Sequence, residues 1–329
     1  DFYFELLPAY GGGPKGTVVS ARHQAAGDTG TQISSYSFGF DLATGLWSQI
    51  SINDSQGPGP SPAPWLCDVG TNGAFDRVKN RFFITGHTLN NDVQLNYFTI
   101  PDKTWRGIRI GQSTPGPSLN SRVDNLTCDP DRRLLLTHDS NSQIGVWAFD
   151  LALMDGSVAP ADITASGRTG FRLLPITIAP GTPASKPPNG AGTGANPYRW
   201  EWFYEPLWVY YPPNGKFYRY GERLEFPPNG NVPTGQVQGS FTNLQRLTPP
   251  AINAAAQAAN PNYYFTQPWV YDEINVSTPM VRGGAGSAQG RYPKRLRYVP
   301  TLQCLCWIPL DHGFDDPITY NPVYLIKPF

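Results

Sequence analysis

Few residues in this chain are of types that do chemistry. The four histidines are His23, His87, His138 and His312, and no two have a spacing that would place both on one turn of helix or one face of a strand. His87 and His138 end similar phrases, Ile84-Thr85-Gly86-His87 and Leu136-Thr137-His138. A fold that sets those phrases side by side would bring both rings toward one opening, where an imidazole pair suits copper or zinc. Without a second ligand set they read as loop-facing side chains, and neither a metal nor another cofactor is assigned. Of the four cysteines, Cys304 and Cys306 fall on one face of a strand as half-buried thiols, while spacing leaves open whether Cys67 and Cys128 bridge. No G-x-S-x-G elbow occurs. Gly11–Thr17 lacks the Walker spacing and a following helix. Ser140–Trp147 misses the aspartate of a sialidase-type Asp box. The acidic pairs Asp129/Asp131 and Asp315/Asp316 lack the oxygen register of a calcium loop, and the first reads as turn chemistry.

Aromatic residues stand out instead. Eleven of them fall within residues 198–220. Trp208 and Tyr210 alternate as strand residues do, so part of the cluster belongs to a core. Tyr198, Trp200, Trp202 and Tyr204 follow a Gly/Pro-rich stretch and precede Pro206, at a junction between loop and strand. Rings there present flat apolar faces with a polar edge, suited to sugar rings or a protein interface. A basic cluster follows at Arg282, Arg291, Lys294, Arg295 and Arg297, with Tyr292 and Tyr298 interleaved. Arg291 and Arg295 could pair with carboxylates of an anionic glycan or partner. These six residues, Tyr198, Trp200, Trp202, Tyr204, Arg291 and Arg295, form the candidate ligand-binding set, and no catalytic residue is assigned.

Composition narrows the function classes. The 329 residues carry 25 Lys+Arg against 25 Asp+Glu, a balance that offers no electrostatic footprint to nucleic acid. No apolar run reaches the ~18 residues of a membrane span, so membrane insertion is not expected. Gly and Pro number 34 each, beside 9 Trp, 17 Tyr and 17 Phe, which describes a core-forming chain broken by many turns. Low charge, abundant Gly/Pro/Asn/Thr and aromatic loops suit a secreted, cell-surface or virion-surface protein. Sequons stand at Asn53, Asn125 and Asn275.

The elements repeat. One phrase pairs two apolar strands across a turn of Asp, Pro, Asn or Gly: Ala74–Ile84, Thr127–Leu136, Val209–Tyr218 and Arg297–Cys306. A second follows it, an aromatic strand leading through a turn toward a Trp: Tyr36–Trp47, Asn96–Trp105, and in weaker form Val146–Leu151 and Val323–Ile326. Two hairpins make a four-stranded meander, the blade of a β-propeller. The expected architecture is all-β, a single domain over 1–329 with about five such blades, six being possible. Loop insertions fall at about 152–206 and 227–262, the latter with a short helix at Ala251–Ala259. The terminal stretches Phe2–Pro8 and Val323–Ile326 predict ring closure by pairing of the N- and C-terminal strands, which would remove an open edge.

These hairpin phrases, with Asp41-x-x-Thr44-x-x-Trp47 and the run Arg295–Pro300, resemble the kelch-like, galactose-oxidase-type β-propeller superfamily, and in particular uncharacterised bacterial and phage kelch-like proteins. The Asp76–Asp129 spacing of 53 residues sits near the kelch period of about 50. The resemblance implies a scaffold that hosts oxidases, lectins and interaction proteins alike. The reading it leaves is a non-enzymatic, surface-exposed propeller that binds a glycan or protein partner, or serves as a subunit of a self-assembling particle. The alternative is a metal-dependent oxidoreductase or glycan-processing enzyme with its site at the channel mouth.

Overall fold

The structure is a computed structural model. It describes residues 2–7, 17–22, 37–41, 43–50, 65–66, 73–87, 93–99, 103–109, 126–138, 146–156, 170–180, 208–220, 241–280, 296–307 and 323–328. The chain is all-β apart from short helices. Its strands are β1 (Phe2–Leu7), β2 (Thr17–Arg22), β3 (Ser37–Asp41), β4 (Leu46–Gln49), β5 (Trp65–Leu66), β6 (Ala74–Asp76), β7 (Arg81–His87), β8 (Val93–Thr99), β9 (Thr104–Arg109), β10 (Leu126–Asp129), β11 (Leu134–His138), β12 (Val146–Asp150), β13 (Arg172–Leu173), β14 (Ile176–Ile178), β15 (Val209–Tyr211), β16 (Lys216–Tyr220), β17 (Phe241–Thr248), β18 (Trp269–Met280), β19 (Leu296–Val299), β20 (Cys304–Trp307) and β21 (Tyr324–Ile326). A 3₁₀ helix, Leu151–Met154, follows β12, and α1 (Ala254–Ala259) and α2 (Tyr263–Thr266) lie between β17 and β18.

These strands form sheets in the orders β1-β2-β3-β4, β5-β7-β8-β9 with β6 also on β7, β10-β11-β12-β13, β14-β18-β17-β16-β15 and β19-β20-β21. The chain divides into two compact units, residues 1–137 with 148–172, and residues 138–147 with 173–329. No described helix is long and apolar enough to cross a membrane.

Six hairpins share one turn. The closing pairs are Asp41↔Leu46, Asp76↔Arg81, Thr99↔Thr104, Asp129↔Leu134, Tyr211↔Lys216 and Val299↔Cys304, so each loop has four residues. The last loop residue is left-handed in every case: Gly45, Asn80, Lys103, Arg133, Gly215 and Gln303, with φ between 48° and 70°. Strand-ending aspartates start several of these turns by accepting the amides that follow. Asp76 Oδ1 accepts from Val78 N at 2.9 Å, Asp129 Oδ1 from Asp131 N and Arg132 N at 3.0 Å, and Asp41 Oδ1 from Ala43 N at 2.7 Å. The Asp129/Asp131 stretch is therefore turn chemistry.

In the first unit the buried residues include Phe82, Phe83, Leu95, Phe98, Leu135 and Phe149. Gly73 lies so close to this core that a Cβ there would stand 2.5 Å from the Phe83 carbonyl oxygen. In the second unit Val209, Tyr211, Tyr218, Leu244, Leu296 and Leu305 form one cluster.

Several expectations need correction. Pairing of the N- and C-terminal strands is not found among the described residues. β1 pairs along its whole length with β2, Phe2↔Arg22 to Leu7↔Thr17, and β21 pairs with β20 at the edge of a three-stranded sheet. Thr17–Arg22, which belongs to neither repeated hairpin phrase, forms β2 and pairs with β1. The insertions at 152–206 and 227–262 are not all loop, since they contain β13, β14 and β17. The short helix expected at 251–259 is present as α1, where Asn253 Oδ1 accepts from Ala256 N at 2.9 Å.

Candidate functional site

The fourth sheet carries two rows of polar side chains, and the register explains how they assemble. Arg219 on β16 faces Gln245 on β17, which faces Glu273 on β18. One step along, Tyr218 faces Arg246, which faces Asp272. Because strand side chains alternate between faces, the two rows lie on opposite sides of the sheet.

In the first row the Arg219 guanidinium is fully buried and lies 4.6 Å from the centre of the Trp208 ring, a cation–π arrangement. Its Nε donates to Gln245 Oε1. Burial pushes Arg219 down to about 10, with Tyr271 and Glu273 opposing, so it stays cationic at neutral pH. The Tyr271 hydroxyl donates to Glu273 Oε1 at 2.9 Å. Burial holds that phenol well above its ordinary range, so Tyr271 is a proton donor at neutral pH. In the second row Arg246 grips Asp272 through two bonds, Nε to Oδ1 at 2.8 Å and Nη2 to Oδ2. The bonds to Asp272 raise Arg246 further. The second row is an ion pair, and in the first the Arg219 cation lies within the field of Glu273.

One end of this sheet gathers four strand termini. Val209 faces Tyr218, Tyr220 faces Leu244 and Phe241 faces Met280, so the start of β15, the end of β16, the start of β17 and the end of β18 share one end of the sheet. Residues 181–207 rejoin the sheet there at Trp208, 221–240 leave and return there, and 281–295 depart from Met280. Of the sequence-derived candidates, Tyr198, Trp200, Trp202 and Tyr204 belong to the first of these segments and Arg291 and Arg295 to the third, and all six lie outside the described residues. Trp208, Tyr211, Phe217 and Tyr218 are core, and Tyr210 is half-buried. Arg219, Gln245, Tyr271 and Glu273 escaped the sequence reading. The available signal was a cation at an inward position of the aromatic strand Lys216–Tyr220.

The first unit holds a second charged cluster. Arg133 donates to Asp76 Oδ1 at 2.6 Å and Oδ2 at 2.9 Å, and to Asp155 Oδ2 at 2.7 Å and Oδ1 at 2.5 Å. Arg132 Nη1 donates to Asp129 Oδ2 at 3.0 Å. Cys128, beside them, is a buried free thiol, and Cys67 lies outside the described residues. On β20, Cys304 is buried and Cys306 half-buried, both as free thiols. His87 ends β7 and His138 ends β11, while His23 and His312 lie outside the described residues. Among the described residues no group of three or more His, Cys, Asp or Glu is placed to hold a metal ion.

No protein-family profile matches the chain, and no curated protein matches it by sequence. Similar solved structures include the β-propeller domain of the trilobed protease from Pyrococcus furiosus, at 8% identity and a TM-score of 0.33 over 94% of this chain and 78% of that one. They also include a GH43 β-xylosidase/α-arabinofuranosidase from a compost microbial metagenome, at 8% identity and a TM-score of 0.36 over 86% of this chain and 92% of that one.

Proposed function

We propose that the chain is a kelch-like β-propeller of about five blades, exposed on a secreted, cell or virion surface, that binds a glycan without transforming it. The observation that carries this reading is the shared end of the fourth sheet. What supports it is that Val209, which follows the aromatic segment, and Met280, which the basic segment follows, lie at one end of the same four strands, with Arg295 adjoining Leu296 at the start of β19. Aromatic faces beside cations are the pairing that sugar rings with acidic substituents require.

The test is a glycan array on the purified chain, with light scattering on the same sample. A defined glycan hit is expected, lost in Trp200→Ala and Trp202→Ala by up to about tenfold for each ring removed. Their melting temperatures should stay within about 2 °C of the parent, as for exposed positions. A large drop in melting temperature would make the rings core and overturn the site. No glycan hit, together with a bound protein or large self-assemblies, would replace the glycan reading with a partner-binding or structural one.

A further inference from the structure

An edge strand offers a row of backbone donors and acceptors to any chain that can pair with it, and folds blunt such edges with charge or by keeping the strand short. The described strands follow that rule with one exception. β5, β6, β13, β14, β15 and β21 have three residues or fewer. The longer edge strands carry charged residues: Glu5 in β1, Arg106 and Arg109 in β9, Asp129 in β10 and Arg297 in β19. β4, the last strand of the first sheet, has four residues and no charge, and no charged residue follows it before Asp54. All four of its residues are exposed, Leu46 at 68% and Trp47 at 53%.

The register shows what this edge presents. Phe40↔Trp47 lies on one face of the β3–β4 ladder, and Gly39↔Ser48 and Asp41↔Leu46 lie on the other. The Phe40 and Trp47 rings are 5.1 Å apart, so Trp47 carries an aromatic row out to the edge. Residues opposite one another in an antiparallel pair share a face. A strand that pairs with its own copy about a two-fold axis must therefore set one residue opposite itself. In β4 the central choices are Trp47 and Ser48. With Trp47 opposite its counterpart, each Phe40–Trp47 pair continues into the other, and Leu46 of each copy meets Ser48 of the other. None of these pairs sets charge against charge.

We propose that β4 is the seam of a homodimer, at which two copies of this chain join their first sheets edge to edge with Trp47 opposite its counterpart. A second copy is the occupant because the edge is uncharged and complements itself in that register, while the other edge strands of the chain are short or charged. Each β4 has one outer edge, so the contact is used up at two copies and does not propagate. Four residues a side bury less than the ~800 Å² per partner of a standard interface. The pair is accordingly weak, with a dissociation constant of roughly 10 µM to 1 mM. The seam is separate from the glycan reading, since none of the six candidate ligand-binding residues belongs to β4.

The test is sedimentation equilibrium of the purified chain across that concentration range, with hydrogen exchange on the same samples. Monomers should give way to dimers and to nothing larger. Trp47→Lys, which sets two ammonium groups against each other across the seam, should stay monomeric throughout. Its melting temperature should lie within about 2 °C of the parent, as for an exposed position. In the unmodified chain, exchange of the peptide spanning β4 should slow about threefold or more at the dimeric end of the range, while that of β9 stays constant. The proposal is overturned if the chain remains monomeric, which would leave β4 to a different partner, or if it grows beyond two copies. It is equally overturned if Trp47→Lys dimerises like the parent. Should that variant not fold, the exchange measurement decides alone, and a β4 rate that does not change with concentration overturns the seam.

Discussion

Tyr211 donates its hydroxyl hydrogen to the Gln303 carbonyl across 2.7 Å, and the two residues hold the same places in their hairpins as Asp76 and Arg133. Tyr211 and Asp76 each end the first strand of a hairpin, and Gln303 and Arg133 each end a four-residue turn in the left-handed conformation. The joint recurs with its chemistry exchanged. In the first unit it is carboxylate to guanidinium. In the second it is phenol to backbone carbonyl, with Tyr211 also meeting Tyr298 edge-on at 5.4 Å.

Because the second joint uses the Gln303 backbone, the side chain there is dispensable but its conformation is not. Gln303→Gly should be neutral or stabilising by up to about 1 kcal/mol, since left-handed backbone costs a side-chain-bearing residue roughly 1–2 kcal/mol. Gln303→Val should destabilise by about 1–2 kcal/mol, because a β-branched residue tolerates that region worst. Tyr211→Phe should lose about 1 kcal/mol with the hydrogen bond. Urea unfolding of the three variants checks the order, and equal midpoints for Gly and Val would refute it.

Gly73 predicts a sharper loss. An added methyl would meet the Phe83 carbonyl oxygen at 2.5 Å and the Phe82 ring at 2.7 Å. Neither can retreat easily, since Phe83 is locked in β7 by its pairing with Ala74 and Tyr97 and both rings are buried. Gly73→Ala should therefore destabilise by about 1–3 kcal/mol, read as a lower melting temperature. An unchanged value would mean that the β6 entry yields.

Alkaline pH should unfold the second unit through its phenols. Burial raises Tyr211, Tyr218 and Tyr271 in the folded state. The native form then holds protons that the unfolded form releases above about pH 10, so stability falls as pH rises past that value. Arg219, lowered to about 10 by burial, acts with the opposite sign. Phenolate absorbance and loss of dichroism should rise together. Ionisation of Tyr211, Tyr218 and Tyr271 near pH 10 while the fold stays intact would contradict the burial assigned to them.

Much of the strand pattern was legible in the residues, for local reasons. The hairpins at 74–84, 127–136, 209–218 and 297–306 announce themselves because Asp, Pro, Asn and Gly set the turn and apolar pairs flank it. β2 was not legible, since Thr17–Arg22 belongs to neither repeated hairpin phrase even though Gly11–Gly16 precedes it. β17 was hidden because Thr242, Asn243, Gln245 and Arg246 read as loop until Gln245 and Arg246 find their partners across the sheet. The same holds for the Arg219–Gln245–Glu273 row and for Arg133 with Asp76, 57 residues away. Such contacts are set by register and by neighbouring sheets, which no local window contains.

β14 has a consequence for how the chain folds. Most strand pairs close over short connections, and the six four-residue turns close fastest of all. β14 instead runs parallel to β18, Ile176 beside Trp269, so its place exists only after β18 has been made and docked. Loop closure over that distance costs entropy before any contact repays it. Seating β14 is accordingly expected to be a late step in the folding of the second unit.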